Sequence, residues 1–414
     1  MGVKSVYKHI LAEKGDSSSV ELWFVSGDGE DFGEQEEINP EDLVFWSKNS
    51  VLWQNVWSKD PSKRTSEEKK LQKEIYEKIE ENGIPNILRS EIWPTIATES
   101  EFELLKLQEE YMRLRGKKSS WQSEIAADIT RTFPGHPKFA KGDEAQMELF
   151  RILTAYSLHD PELGYSQGTN FIAATIVLMM PEERAFAVFA SLMKRFNLRL
   201  LYLNECEGLK RQLHFLSETV RIKSSKLKTH LDDQMIEPGM YATQWLLSCF
   251  TSRFPLAFSK RILDLLLLKP DDTQELLMKL TTSMLLFHRS EIFECEIDDF
   301  MDYFRSVLPA HFAIRTLPED GDGPSYYEHS EKFLRFARGF RLERWRRIMI
   351  EHSWSQQRSK CKRAASNKDE LIKELSAKNE ALLVENEDLR IKNDHLKSQL
   401  DEISGRWTEI ALRK

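Results

Sequence analysis

Asp128, Arg131, Ser166 and Gln167 are of types, and at spacings, that could act on a phosphoryl or an acyl group. An arginine stays charged when desolvated, and its planar fork can contact more than one oxygen of a transferring phosphoryl group. The transition state of such a transfer is stabilised mainly by positioned charge. A neutral glutamine amide can accept a hydrogen bond from an attacking water while donating another to the phosphate. Taken singly, these residues are ordinary. Asp128 and Arg131, at i and i+3 on a helix, make a surface ion pair worth about 0.2–0.5 kcal/mol, and Gln167 beside Gly168 fits a plain loop before a buried helix. Residues 164–168, Gly-Tyr-Ser-Gln-Gly, also satisfy G-x-S-x-G, the nucleophile elbow of α/β-hydrolases. An elbow needs a buried strand before it, whereas LFRILTAYSLHDPEL reads as a helix ending in an acidic, proline-containing loop. The chain also lacks the strand–helix alternation of a parallel sheet, so the hydrolase reading is set aside.

The elements that must hold these residues are helical. Only 17 Gly and 14 Pro punctuate 414 residues, and the long unbroken stretches are rich in Leu, Glu, Lys and Met, which lose little freedom in a helix. Trp46, Trp53 and Trp57 fall on one helical face and read as a packing anchor for the next domain. Thr65 and Glu68 form a capping box ahead of Leu71, Ile75 and Ile79, and Gly83 followed by Pro85 closes that helix. From there to about 315, apolar residues recur at three and four spacing, with segments starting after Ser100, Trp121, Asp143, Pro181, Pro238, Pro255 and Asp271.

Outside this helical run, residues 27–42 carry eight acidic side chains among Gly and Pro and read as a solvated linker. The turn at 319–324, EDGDGP, has Pro324 where a calcium loop needs an oxygen ligand. Residues 335–363 carry ten Lys or Arg against two Glu, a segment able to attract an anionic membrane surface. Leu375, Leu382, Leu389, Leu396 and Ile403 then recur every seven residues, with Ile372, Asn379, Asn386, Asn393 and Leu400 three residues ahead of each. That is a coiled-coil seam, in which the three asparagines favour an in-register parallel homodimer at a cost in stability. Glu385 and Arg390 add one complementary pair, while Lys392 and Lys397 repel across the dimer, so dimerisation is expected to be marginal or assisted by a partner.

The formal charge of −8 argues against a nucleic-acid partner. Four scattered cysteines without a C-x-x-C pair suggest neither a metal site nor disulfides, which fits a reducing cytosol. The N-terminus has no signal-peptide run and misses the myristoylation pattern at Val6. The most apolar stretch, 171–180, is too short to span a bilayer.

Three strings, GIPNILRSEIW at 83–93, IAADITRTFP at 125–134 and GYSQGTN at 164–170, occur in an order and at separations that resemble the TBC domain of Rab GTPase-activating proteins. The resemblance covers roughly 83–315, including EPGMYATQWLLSCFTSRFP at 237–255, and a following coiled coil is similar to one branch of that family. It implies an all-α, two-lobed helical domain followed by a coiled-coil helix. It further implies a Rab-family GTPase in its GTP form as partner, with Arg131 and Gln167 entering the nucleotide pocket as catalytic fingers. Asp128, Tyr165 and Gly168 would support them, and Arg89 and Trp93 would support the fold and the finger helix. No cofactor of its own is expected, because GTP and Mg travel with the GTPase. Thr169 departs from the Met usual in the family, a change expected to touch loop packing rather than the fingers. The chain is thus divided into an N-terminal segment with acidic linker (1–45), a Trp-rich helical lead-in (46–82), the TBC domain (83–315), a linker and basic helix (316–366), the coiled coil (367–405) and a tail (406–414). A cytoplasmic location is expected, with a peripheral place on endomembranes as the alternative.

Overall fold

Helix α1 (Ser66–Asn82) starts at the expected capping box: the Thr65 N–H donates to Glu68 Oε2 at 2.8 Å and the Glu68 N–H to Thr65 Oγ1 at 3.2 Å. Ile75 and Ile79 on its inner face are fully buried, and Leu71 is partly covered. Gly83 ends the helix with φ of +81°, a conformation that penalises any residue with a Cβ. The computed structural model describes residues 61–139, 142–295, 299–312 and 326–412, together with 45, 46, 49, 56, 57 and 59. The acidic linker, Trp53 and the 319–324 turn lie outside the described residues.

All elements among the described residues are helical. After α1 come α2 (Asn86–Ala97), α3 (Glu101–Leu114), α4 (Gln122–Ile129), α5 (Glu144–His159), α6 (Thr169–Val177) and α7 (Glu182–Lys194). These starts follow the joints read from the sequence, since Ser100 caps α3 through the Glu103 N–H and Pro181 stands immediately before α7. Helices α2 to α7 form one lobe, in which α7 packs against α2, α3, α5 and α6. Every residue of α6 except the partly buried Phe171 is buried, and no described helix is long and apolar enough to cross a membrane.

The second lobe comprises α8 (Leu203–Lys223), α9 (Ser225–Asp233), α10 (Pro238–Leu247), α11 (Leu256–Leu267), α12 (Thr273–Phe287), α13 (Arg289–Glu294) and α14 (Tyr326–Gly339). A short segment with a π turn, Phe300–Ala310, lies between the last two. Helix α8 packs on α9, α10 and α12, and α12 on α14. Helix α14, grouped by sequence with the basic linker, contributes Phe333, Leu334 and Ala337 to the core because these fall on one helical face. The first compact unit accordingly runs to Leu342, and a second begins at Glu343. That second unit is essentially one helix, α15 (Arg344–Leu412), along which Ile372, Leu375, Leu382, Leu389, Leu396 and Leu400 are between 48% and 70% exposed. Trp46 and Trp57 are buried in the first unit, with the Trp57 indole N–H directed at the Thr98 carbonyl, as expected of a packing anchor.

The lobes meet on α11, which contacts α1, α2 and α6 as well as α12. Its Asp264 is fully buried in an otherwise leucine-rich stretch. Arg89 on α2 grips it bidentately, Nε to Oδ1 at 3.1 Å and Nη2 to Oδ2 at 2.9 Å. The Trp93 indole donates to Oδ1 at 2.6 Å and the Ile84 N–H to Oδ2 at 3.1 Å. One turn earlier, Arg261 donates to the carbonyls of Ile79 and Glu80 at 2.9 and 2.8 Å, satisfying the C-terminal end of α1. A Cβ at residue 83 would stand 2.8 Å from Arg261 Cδ, so glycine is demanded by close approach as well as by φ.

Removing one partner of a buried, fully bonded ion pair leaves an uncompensated charge. We therefore expect Asp264→Ala to cost about 3–5 kcal/mol of stability. Lys70→Ala, whose pair with Glu74 is solvent-exposed, should leave the midpoint of urea unfolding unmoved.

Candidate GTPase-docking site

Arg131 stands in the turn just after α4, not on the helix itself. Pro134 biases the residues before it away from helical geometry, and Phe133 takes a positive φ of 47° with its ring buried against Phe139 and Phe171. The turn is pinned by the Arg131 N–H on the Asp128 carbonyl at 3.2 Å and by the Thr132 hydroxyl on the same oxygen at 2.8 Å. The Arg131 side chain is 59% exposed and ion-paired to Asp128, which is itself buried. The phenol of Tyr165 donates to the other Asp128 oxygen at 2.5 Å. Burial, reinforced by the Asp128 charge, holds that phenol well above its usual range, so it remains a donor.

Tyr165 and Gln167 sit on the loop that leads into α6, and the loop is tied to the arginine turn a second time. Asn170 accepts from the Gly168 N–H at 3.0 Å and donates to the Thr132 hydroxyl at 2.8 Å. Gly168 has φ of +103°, and a Cβ there would meet the Leu247 carbonyl at 3.0 Å. Gly164, with φ of +64°, lies so close to the Trp121 ring that a Cβ would come within 2.3 Å of its Nε1. Both glycines therefore let the loop press against neighbouring elements. Between them Gln167 is exposed, while Tyr165 is buried. Thr169 is buried, and its hydroxyl donates to the Ser166 carbonyl at 2.6 Å, a contact internal to the loop.

The geometry thus gathers Asp128, Arg131, Tyr165, Gln167 and Gly168 at two interlocked loops, with Arg131 and Gln167 exposed. Arg89 and Trp93 belong instead to the buried Asp264 junction between the lobes. Ser166 follows a helix and a turn rather than a strand, which removes the elbow geometry. Three participants were not read from the sequence. Asp264 was signalled by a lone acidic residue within RILDLLLL, whereas Asn170 and Thr132 lay inside the quoted strings without any pattern that assigned them a partner.

The family model of the Rab-GTPase-TBC domain matches residues 86–293, half of the chain. Among curated relatives, the Rab GTPase-activating protein eat-17 of Caenorhabditis elegans is 33% identical over 272 residues, covering 66% of this chain and 29% of that protein. TBC1 domain family member 4 of Mus musculus is 33% identical over 235 residues, covering 55% of this chain and 18% of that protein. The chain therefore spans less than a third of the length of either relative. Among solved structures, the Ypt/Rab-GAP domain of Gyp1p is similar with a TM-score of 0.53 at 18% identity, over 73% of this chain and 99% of that one. The Chlamydomonas flagellar RabGAP TBC domain gives 0.53 at 23% identity, over 71% and 92%. Those two likenesses speak to the fold, and the match of the family model across the segments that carry Arg89, Arg131 and Gln167 identifies the chain as a member of the Rab-GTPase-TBC domain family.

Proposed function

We propose that this protein accelerates GTP hydrolysis by a Rab-family small GTPase, with Arg131 supplied in trans as an arginine finger and Gln167 as a glutamine finger. The observation that carries this reading is the exposed Arg131 guanidinium held by a buried Asp128, whose second oxygen is fixed by Tyr165 on the glutamine loop. In the partner's pocket, Arg131 would neutralise charge on the departing phosphoryl group, and Gln167 would orient the attacking water. GTP and Mg would arrive with the GTPase, so the chain itself contributes donors rather than a cofactor. Asp128 and Tyr165 act on position: they fix where the guanidinium starts, which lowers the ordering cost of docking. The function of such an activator is regulation of vesicle traffic, from the cytoplasm or from the surface of endomembranes. The basic run at 335–363 supplies an attraction to anionic lipid in the second case.

A second reading, a Rab-binding scaffold that tethers without hydrolysis, draws on the exposed leucine seam of α15, which suits a parallel coiled-coil homodimer. Single-turnover GTP hydrolysis across a panel of Rab proteins separates the two. Arg131→Ala is expected to lower stimulated hydrolysis about 10³–10⁵-fold, with unchanged helicity and unfolding midpoint. Arg131→Lys should fall nearly as far, because an ammonium lacks the fork. Stimulation that survives the alanine variant would exclude the arginine finger. Tyr165→Phe, which removes one hydrogen bond from Asp128, should lose far less, on the order of tenfold. Ending the chain after residue 365 should abolish self-association by sedimentation while leaving stimulation intact. A truncated chain that no longer stimulates would give the seam a part in the chemistry.

A further inference from the structure

Three histidines and a glutamate that play no part in the proposed fingers converge in the second lobe. His288 stands between α12 and α13, Glu291 lies on α13, His311 follows the Phe300–Ala310 segment and His329 is on α14. One nitrogen from each of His288 and His311 and one oxygen of Glu291 lie within 4.8 Å of one another. His288 Nδ1 is 3.5 Å from Glu291 Oε2, and His311 Nε2 is 3.0 Å from the same oxygen. The three imidazole rings form a nearly equilateral triangle, with centroids 5.3, 5.4 and 5.5 Å apart.

The spacing of His288, Glu291 and His311 matches what one small cation imposes. Ligand atoms bound to a tetrahedral Zn²⁺ at about 2.0–2.1 Å stand about 3.4 Å from each other, and imidazole rings bound to it have centres about 5 Å apart. A hydrogen-bonded hub is the competing account, since His288 and His311 can both donate to the carboxylate. That account leaves polar atoms over. His288 is 1% exposed, yet its Nε2 has no hydrogen-bond partner, and neither does the buried Nε2 of His329. Buried polar atoms without partners call for an ion or a water. Tyr303 donates to Glu291 Oε2 at 2.9 Å, the kind of outer hydrogen bond that orients a metal-bound carboxylate.

We propose that His288, Glu291 and His311 together bind one divalent transition-metal ion, with Zn²⁺ best suited to two imidazoles and a carboxylate, and with the His329 ring packed beside them. Three protein donors would leave the fourth position of a tetrahedral sphere to a water molecule. The ion would fasten His311, just after the Phe300–Ala310 segment, to the α12–α13 corner, using none of the elements that carry Arg131 or Gln167. The scattered cysteines gave no hint of it, and the sequence signal was His288 and Glu291 at i and i+3.

The test uses the full chain without a polyhistidine tag, stripped with chelator and then dialysed against Zn²⁺ or Co²⁺ alone. The expected result is roughly one equivalent of metal per chain, a tetrahedral cobalt absorption spectrum, and an unfolding midpoint raised by the metal. His311→Asn and Glu291→Gln should each lose the bound equivalent while keeping wild-type far-UV circular dichroism. Tyr303→Phe should still bind, but about 10–100-fold more weakly. Retention of less than a tenth of an equivalent by the wild-type chain, or a cobalt spectrum unchanged in the His311 and Glu291 variants, overturns the proposal. The wild-type spectrum alone decides the matter if a variant fails to fold.

Discussion

A carboxylate with no access to water, Asp264, sets the terms on which the two lobes can be joined. Its charge is tolerable only if donors saturate both oxygens, and those donors come from the Arg89 guanidinium, the Trp93 indole and the Ile84 amide. Each demand propagates. The Ile84 amide can reach the carboxylate only if the chain turns sharply at Gly83, and Arg89 and Trp93 can both reach it only from one face of α2, four residues apart. Arg261, one turn before Asp264, then fills the end of α1 with a second buried cation. Charge, cap and close packing are therefore solved together at one corner, and α11 carries that corner to α6, at the head of which the glutamine loop lies.

The second interlock works at the surface with opposite aims. Asp128 is buried and fixed, whereas the arginine it holds is exposed. Two hydrogen-bonded bridges, Tyr165 to Asp128 and Asn170 to Thr132, register the arginine turn against the glutamine loop, so neither can shift without the other. The result is a buried, fixed base that presents an exposed guanidinium. The exposed ion pair contributes little to stability.

Much of this was legible because local physics wrote it. The α1 capping box, the glycine closure and the joints at Ser100 and Pro181 all rest on contacts within a few residues, and such contacts leave their mark in sequence spacing. The positions of Arg131 and Gln167 came from the strings that carry them, while their exposure follows from how those loops are packed. What stayed hidden was long-range. Asp264 and its partners, the Asn170 bridge and the triangle of histidines join residues far apart in the chain, and no periodicity links such positions. The reading of Asp128 and Arg131 as two points on one helix failed because α4 ends at Ile129; Pro134 was the local signal in the sequence, and the positive φ of Phe133 was not legible there.

The Asp264 junction also carries a cost in time. Its partners are separated by 171 to 180 residues, so it is a contact of very high order, formed only after a long loop has closed. During synthesis at about 5–20 residues per second, Arg89 emerges roughly 10–35 s before the aspartate that will neutralise it. For that interval the first lobe carries an unmatched guanidinium and an indole on a surface destined for the interior. The nascent chain must therefore hold α2 in a solvated, unfinished state, and the ribosome's pace, rather than helix formation, sets when the lobes can lock.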